Sequence, residues 1–221
     1  MPKEAVVLQD VHKCFGEHHV LKGISFAVAE GEIYGLLGPS GCGKTTAVKV
    51  AAGIFSAGAG EATIAGERMP NLEMMQRIGY MAQSDALYAN LSGYENLAFL
   101  GALFGLKGDR LDQRIRYAAD IVALGADLGK RVSNYSGGMK RRLSLATSLL
   151  HDPAILILDE PTVGIDPLLR QSIWDELYRL AAKGKAILVT THVMDEAEKC
   201  TKLSMMRDGM LIAEGTPAAL K

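Results

Sequence analysis

Three short stretches of the chain are apolar without alternation: residues 33–37 (IYGLL), 154–158 (AILIL) and 186–189 (AILV). That is the pattern of strands buried on both faces, as in a parallel sheet. Residues 5–8, 20–26 and 61–64 are different, being strand-like runs near turn signals such as Ala65-Gly66. They predict an antiparallel sheet. Between the first two buried strands, roughly residues 85–151 read as mostly helical. Ser92, with Glu95 three residues on, predicts a capping box at the start of one helix. A later helix stops at His151-Asp152-Pro153. Its buried stripe is Leu143, Ala146 and Leu150, which leaves Lys140, Arg141 and Arg142 as a solvated face. Asp208-Gly209, between two apolar runs of LSMMRDGMLIAEG, predicts a β-hairpin. The pattern as a whole is that of an α/β protein.

Composition narrows the classes. A chain of 221 residues that is 48% hydrophobic can bury the core of one globular domain. Its 24 basic and 25 acidic residues give a net charge of −1, which provides no bulk attraction to nucleic acid or to an anionic membrane. Cys14, Cys42 and Cys200 are widely spaced without a CxxC pair, so neither a disulfide framework nor a zinc site is expected, and a reducing cytosol fits best. The N-terminal residues lack an apolar core, so no secretory signal is expected. The charge-free run at 97–106, LAFLGALFGL, is far short of the ~20 residues that span a bilayer. The chain itself is expected to stay out of the membrane.

Candidate chemistry begins directly after the first buried strand, with GPSGCGKTT: Gly38, Pro39, Ser40, Gly41, Cys42, Gly43, Lys44, Thr45 and Thr46. Strand, glycine-rich loop and helix in this order form a phosphate-binding loop. Glycines let backbone N–H groups turn toward phosphate oxygens, and the following helix adds its positive end. Lys44 reaches the terminal phosphates, and the Thr45 hydroxyl can ligand Mg²⁺. Cys42, inside the loop and near Lys44, is expected to have its thiolate favoured, and a bulky thiol reagent is then expected to block the site.

The second buried strand runs into Asp159-Glu160. An ionised pair at the end of an apolar strand is costly unless something cationic or solvating meets it, and Mg²⁺ on Asp159 would do so. Glu160, one residue further out, is placed to orient or deprotonate a water attacking the terminal phosphate. The third strand leads through Thr190-Thr191 to His192. A lone histidine is more often a surface or core residue. Here all three strands deliver polar groups at their carboxyl ends, where open α/β sheets bind ligands, which favours a phosphate contact for His192.

The order GPSGCGKT, Gln83 in MAQSDALY, YSGGM at 135–139, ILILDE, GIDP at 164–167 and TTH resembles the nucleotide-binding subunit of ABC transporters over essentially the whole chain. The resemblance implies an ATPase core of mainly parallel sheet with an antiparallel β subdomain at 1–84 and 152–221, and an inserted helical signature subdomain at 85–151. It implies ATP and Mg²⁺ as cofactors, an integral-membrane permease as partner, and a second nucleotide-binding subunit that is either identical or a paralogue. Its place would be cytoplasmic, peripheral on the inner face of the cell membrane. Gln83 would be the contact to Mg²⁺ and water that senses the permease, Asp166 would lie at the dimer interface, and His192 would be the switch histidine. Phe15, in KCFG, matches the aromatic that stacks on adenine, and a core Phe at a strand end explains it equally well.

Ser136, Gly137 and Gly138 open a helix whose N-terminus can approach an anion closely. In the family that anion is the terminal phosphate held by the other subunit. Tyr135 and Met139 depart from the commoner LSGGQ, and Ala82 stands where many relatives have Pro. YSGGMKRRL with SGYENLAFL resembles the branch that exports drugs, polysaccharides or ions; relatives there often continue beyond the equivalent of Lys221, so a longer natural chain is expected. A soluble ABC-type ATPase acting on nucleic acid or ribosomes is the competing reading, weakened by the lack of a coiled-coil insertion, a second fused copy or a basic stripe. A phosphate-loop kinase or GTPase is a third, and it would leave SGG before the acidic strand without a purpose.

Overall fold

A computed structural model describes residues 3–84 and 86–220. The expected boundary residue Asp85 and the expected continuation past Lys221 lie outside the described residues. In chain order, β1 (Glu4–Phe15) and β2 (His18–Ala29) form a long hairpin, and β3 (Ile33–Leu37) leads through the glycine-rich loop into α1 (Lys44–Ala51). The strands β4 (Ala59–Ile64) and β5 (Glu67–Arg68) follow, then the short α2 (Leu72–Met75) and β6 (Ile78–Met81). Next come α3 (Gly93–Leu103), α4 (Gly108–Ile121) and α5 (Gly137–Leu149). The chain closes with β7 (Ile155–Asp159), α6 (Pro167–Ala182), β8 (Ala186–Thr191), α7 (Met194–Ala197), β9 (Lys202–Arg207) and β10 (Met210–Gly215).

Among the described residues the strands form two sheets. One is antiparallel in the order β2-β1-β4-β5; the other runs β10-β9-β3-β8-β7-β6, parallel except for β10. The apolar strands β3, β7 and β8 are buried at every position, as their lack of alternation requires. Their side chains divide between two cores. Ile155, Ile157, Ala186 and Leu188 join the cluster that includes α1 and the antiparallel sheet. Leu156, Leu158, Ile187 and Val189 join the cluster of Leu97, Ile115, Leu143, Leu149 and Trp174 from α3, α4, α5 and α6. One stretch of chain thus serves two cores because successive strand residues point to opposite faces.

Several elements go beyond the sequence expectation. The strands β1 and β2 are 12 residues each, longer than 5–8 and 20–26, because register shifts and a positive φ at Asp10 carry the pairing past positions where the apolar pattern fails. The strand β6 was not expected at all. The hairpin at Asp208-Gly209 forms, with φ of 50° and 82°, and β9 then also pairs in parallel with β3. The capping box of Ser92 and Glu95 is present.

The expected solvated face of α5 is corrected. Leu143, Ala146 and Leu150 are buried as expected, but so is Arg141, while Arg142 bonds the carbonyls of Val122 and Ala123 at 3.0 and 2.8 Å. Loop carbonyls surround this face of the helix, and a guanidinium satisfies them where an apolar side chain could not. Among the described residues no helix is long and apolar enough to cross a membrane.

Candidate functional site

Register gathers the polar groups. Leu37 pairs with Thr191, Asp159 with Thr190, and Met81 with Leu158, so the carboxyl ends of β3, β8, β7 and β6 lie side by side. At this end is a cleft of about 270 Å³ lined by Ser40, Gly41, Gly43, Lys44, Thr45, Thr46, Gln83 and Glu160, with His18 and Val20. A larger cavity of about 480 Å³ includes Ala154, Ile155 and His151 at the opposite ends of the strands, and none of the chemistry expected from sequence lies there.

The loop is shaped by close approach. A Cβ on Gly38 would lie 2.3 Å from the Met206 carbonyl oxygen, and Gly43 has φ of 110° at the cap of α1, so neither position admits a side chain without strain. No side chain caps the N-terminus of α1, which leaves its first N–H groups for an anion. Lys44 is 5% exposed and donates to the carbonyls of Gly38 and Pro39 at 2.8 and 3.0 Å. Cys42 is corrected: its thiol is buried, with Sγ 2.8 Å from where a Gly38 Cβ would stand, and it belongs to the core under the loop. Only the backbone of Cys42 can serve a phosphate.

Asp159 is fully buried at the end of β7. Its Oδ1 accepts a hydrogen bond from the Thr190 hydroxyl at 2.5 Å, while its Oδ2 has no hydrogen-bond partner among the described residues. A buried carboxylate oxygen without a donor is costly, and a cation with oxygen ligands would satisfy it. With the Thr45 hydroxyl and Gln83 on the adjoining cleft, the donor set is all oxygen and suits Mg²⁺, which completes its shell with water and phosphate. Burial and the charge of Asp159 together push the neighbouring Tyr80 hydroxyl up to about 12, keeping it neutral.

Glu160 has a φ of 52°, in the left-handed region that non-glycine residues rarely occupy. Its N–H donates to the Thr190 hydroxyl at 3.0 Å and the Thr190 carbonyl at 3.2 Å. The turn brings Glu160 Oε1 to 2.8 Å from His192 Nδ1. Behind them Glu196, 1% exposed, accepts from Thr162 at 2.5 Å and Thr191 at 2.8 Å, with Arg170 3.9 Å away. Glu196, Thr190 and Arg141 were missed in the sequence. For Thr190 the signal was a hydroxyl next to the end of an otherwise apolar buried strand; Glu196 and Arg141 left none separable from ordinary helix surface.

The remaining candidates do not line this cleft. Ser136 caps α5 by accepting from Met139 N–H at 3.2 Å, and Gly138 packs against Gly164. Asp166 caps α6, accepting from Leu169 N–H at 3.0 Å. Phe15 is 45% exposed at the end of β1, edge-on to Phe55 at 5.3 Å.

Residues 21–163 match the protein-family model described as ABC transporter. Over 223 aligned residues the chain is 43% identical to the Nod factor export ATP-binding protein I of Paraburkholderia xenovorans strain LB400, covering 100% of this chain and 73% of that protein. It is 40% identical to the "Probable multidrug ABC transporter ATP-binding protein YbhF" of Escherichia coli K12, of which it spans 39%. Among solved structures, an ATP-binding subunit of an ABC transporter superposes with a TM-score of 0.89 at 27% identity, covering 96% of this chain and 90% of that one. The ATP-binding cassette MJ0796, in a dimeric post-hydrolysis state bound to ADP and Pi, gives 0.89 at 25% identity, covering 96% and 98%.

Proposed function

The chain belongs to the ABC transporter family, and from that premise we propose how its residues divide the work of an ATP-binding and ATP-hydrolysing subunit that drives a membrane permease. The loop from Gly38 to Thr46 binds the phosphates of ATP through backbone N–H groups, Lys44 and the end of α1. Thr45, Asp159 and Gln83 hold Mg²⁺, which supplies charge neutralisation at the terminal phosphate when bound. Glu160 orients and deprotonates the attacking water, and His192 holds the Glu160 carboxylate and faces the same phosphate. The observation that carries this reading is the convergence of an unpartnered Asp159 oxygen and a hydrogen-bonded Glu160–His192 pair beside a phosphate loop.

Ser136, Gly137 and Gly138 complete the site of a second subunit. Their position outside the chain's own cleft supports this, as do the dimeric cassettes it superposes on. Asp166 borders that interface, and Phe15 offers a half-exposed ring to adenine. Residues 1–84 and 152–221 act as the ATP-binding unit and 85–151 as the helical signature unit. The permease docks near Gln83 on the exposed rings of Tyr88, Tyr94 and Phe99, and the chain works on the cytoplasmic side of the membrane. Export is the direction supported by the relative named for Nod factor export, and a second relative is named for a multidrug ABC transporter.

Glu160→Gln tests the reading. It removes a group that acts on the attacking water, so hydrolysis should slow by roughly 10²-fold or more while ATP binding persists. The ATP-bound dimer should then accumulate in gel filtration, and a purely monomeric profile at high protein concentration with ATP and Mg²⁺ would overturn the two-subunit site.

A further inference from the structure

Arg141, 8% exposed on α5, reaches two strand ends at once. Its Nη1 donates to the carbonyls of Ala82 and Gln83, both at 2.8 Å, and its Nη2 donates to the carbonyls of Asp159 and of Glu160, the latter at 2.6 Å. The pairing of β6 with β7 stops at Met81 and Leu158, so these carbonyls lie where the ladder has ended. A planar guanidinium has donors spread along two edges and can bridge both segments, which a point-like ammonium cannot. The residue also stands in the helix that Ser136 caps.

We propose that Arg141 is a positioning residue for ATP hydrolysis: its guanidinium joins the start of α5 to the main chain of Glu160 and Gln83 and so sets where the Glu160 carboxylate points. Glu160 sits in a rarely adopted backbone conformation, and it is held from both sides, by Thr190 at its N–H and by Arg141 at its carbonyl. Loosening one hold lets the peptide rotate, and the carboxylate moves with it. The same side chain gives a displacement of the Ser136 end of α5 a direct mechanical route to Glu160 and Gln83. This inference rests on the reading of Glu160 as the group that acts on water.

The test is a cycle of wild type, Arg141→Lys, Glu160→Gln and the double variant, read by steady-state ATPase activity, nucleotide affinity and thermal unfolding. Misplacing a catalytic group by a fraction of its reach costs rate rather than ground-state binding, so Arg141→Lys should lower kcat about tenfold with KM for ATP within about twofold. With the carboxylate already gone, the same substitution should change the residual rate by less than about twofold. A folded Arg141→Lys with the kcat of wild type, or a loss of equal size in both backgrounds, would overturn the proposal, because a merely structural role is additive. Should Arg141→Lys not fold, Arg141→Gln, which keeps one amide donor, carries the same cycle with the same criteria. An inactive wild type would overturn the hydrolytic reading itself, whereas an active wild type with an indifferent Arg141 overturns only this inference.

Discussion

The Thr190 hydroxyl donates to Asp159 Oδ1 at 2.5 Å, and its oxygen accepts the Glu160 N–H at 3.0 Å. One buried side chain therefore orients two consecutive acidic residues. Thr190→Val keeps the shape and removes the hydroxyl, leaving a second oxygen of Asp159 without a donor. We expect a loss of about 1–3 kcal/mol of stability, read from urea unfolding, with Thr190→Ser restoring most of it. A valine variant as stable as wild type would show that this hydrogen bond does not support the site.

The position of Ser136 outside its own chain's cleft yields a mixing experiment. Lys44→Ala and Ser136→Arg should each be inactive alone. If Ser136 serves the neighbour's nucleotide, a mixed dimer has one site with both defects and one intact. Mixing should then restore nucleotide trapping or part of the hydrolysis. Two folded variants that recover neither signal would confine Ser136 to its role as a helix cap.

Cys42 lies in the core beneath the loop, whereas Cys14 is exposed. A bulky thiol reagent should therefore label Cys14 in the native protein and leave Cys42 untouched until the chain unfolds. Cys42→Ala should keep ATP affinity within about twofold, since the buried thiol leaves only the backbone of this position open to the loop's concave side. Stoichiometric labelling of Cys42 in folded protein, blocked by ATP, would return the thiol to the binding site.

Burial lowers the pKa of His151 from the ordinary 6.5 to about 4, with the charges of Arg114 and Lys185 acting in the same direction; its ring stacks on Phe104 at 3.7 Å. Above pH 6.5 the ring is neutral folded and unfolded, so it adds no pH dependence. As pH falls from 6.5 toward 4, the unfolded chain takes up a proton that the folded chain resists, and stability drops by up to ~1.4 kcal/mol per pH unit. His151→Gln should flatten the change in unfolding free energy between pH 7 and pH 5. An unchanged slope would assign that acid sensitivity to other groups.

Much of this was legible along the chain. The buried strands, the phosphate loop, the acidic pair after AILIL and the Ser92 capping box are all local patterns, in which the residue types within a few positions already dictate the backbone. The hairpin at Asp208-Gly209 belongs with them, because those residues adopt the positive φ that its turn needs. The burial of Arg141 escapes the pattern for the same local reason: helical periodicity counts apolar neighbours and cannot see carbonyls 59 and 18 positions away in sequence.

The sequence by itself determined most of the elements, though not β6, and the residue types that three strand ends carry: a glycine-rich loop after β3, two acids after β7, a histidine after β8. Only the tertiary structure decided which atoms meet. Pairing of Asp159 with Thr190 gives the carboxylate its donor, the turn at Glu160 brings it to His192, β6 sets Gln83 beside Glu160, and the fold buries Cys42 while leaving Ser136 exposed. Strand register and side-chain burial arise from contacts between residues far apart in the chain, and a local pattern of apolar and polar positions holds no information on those distances.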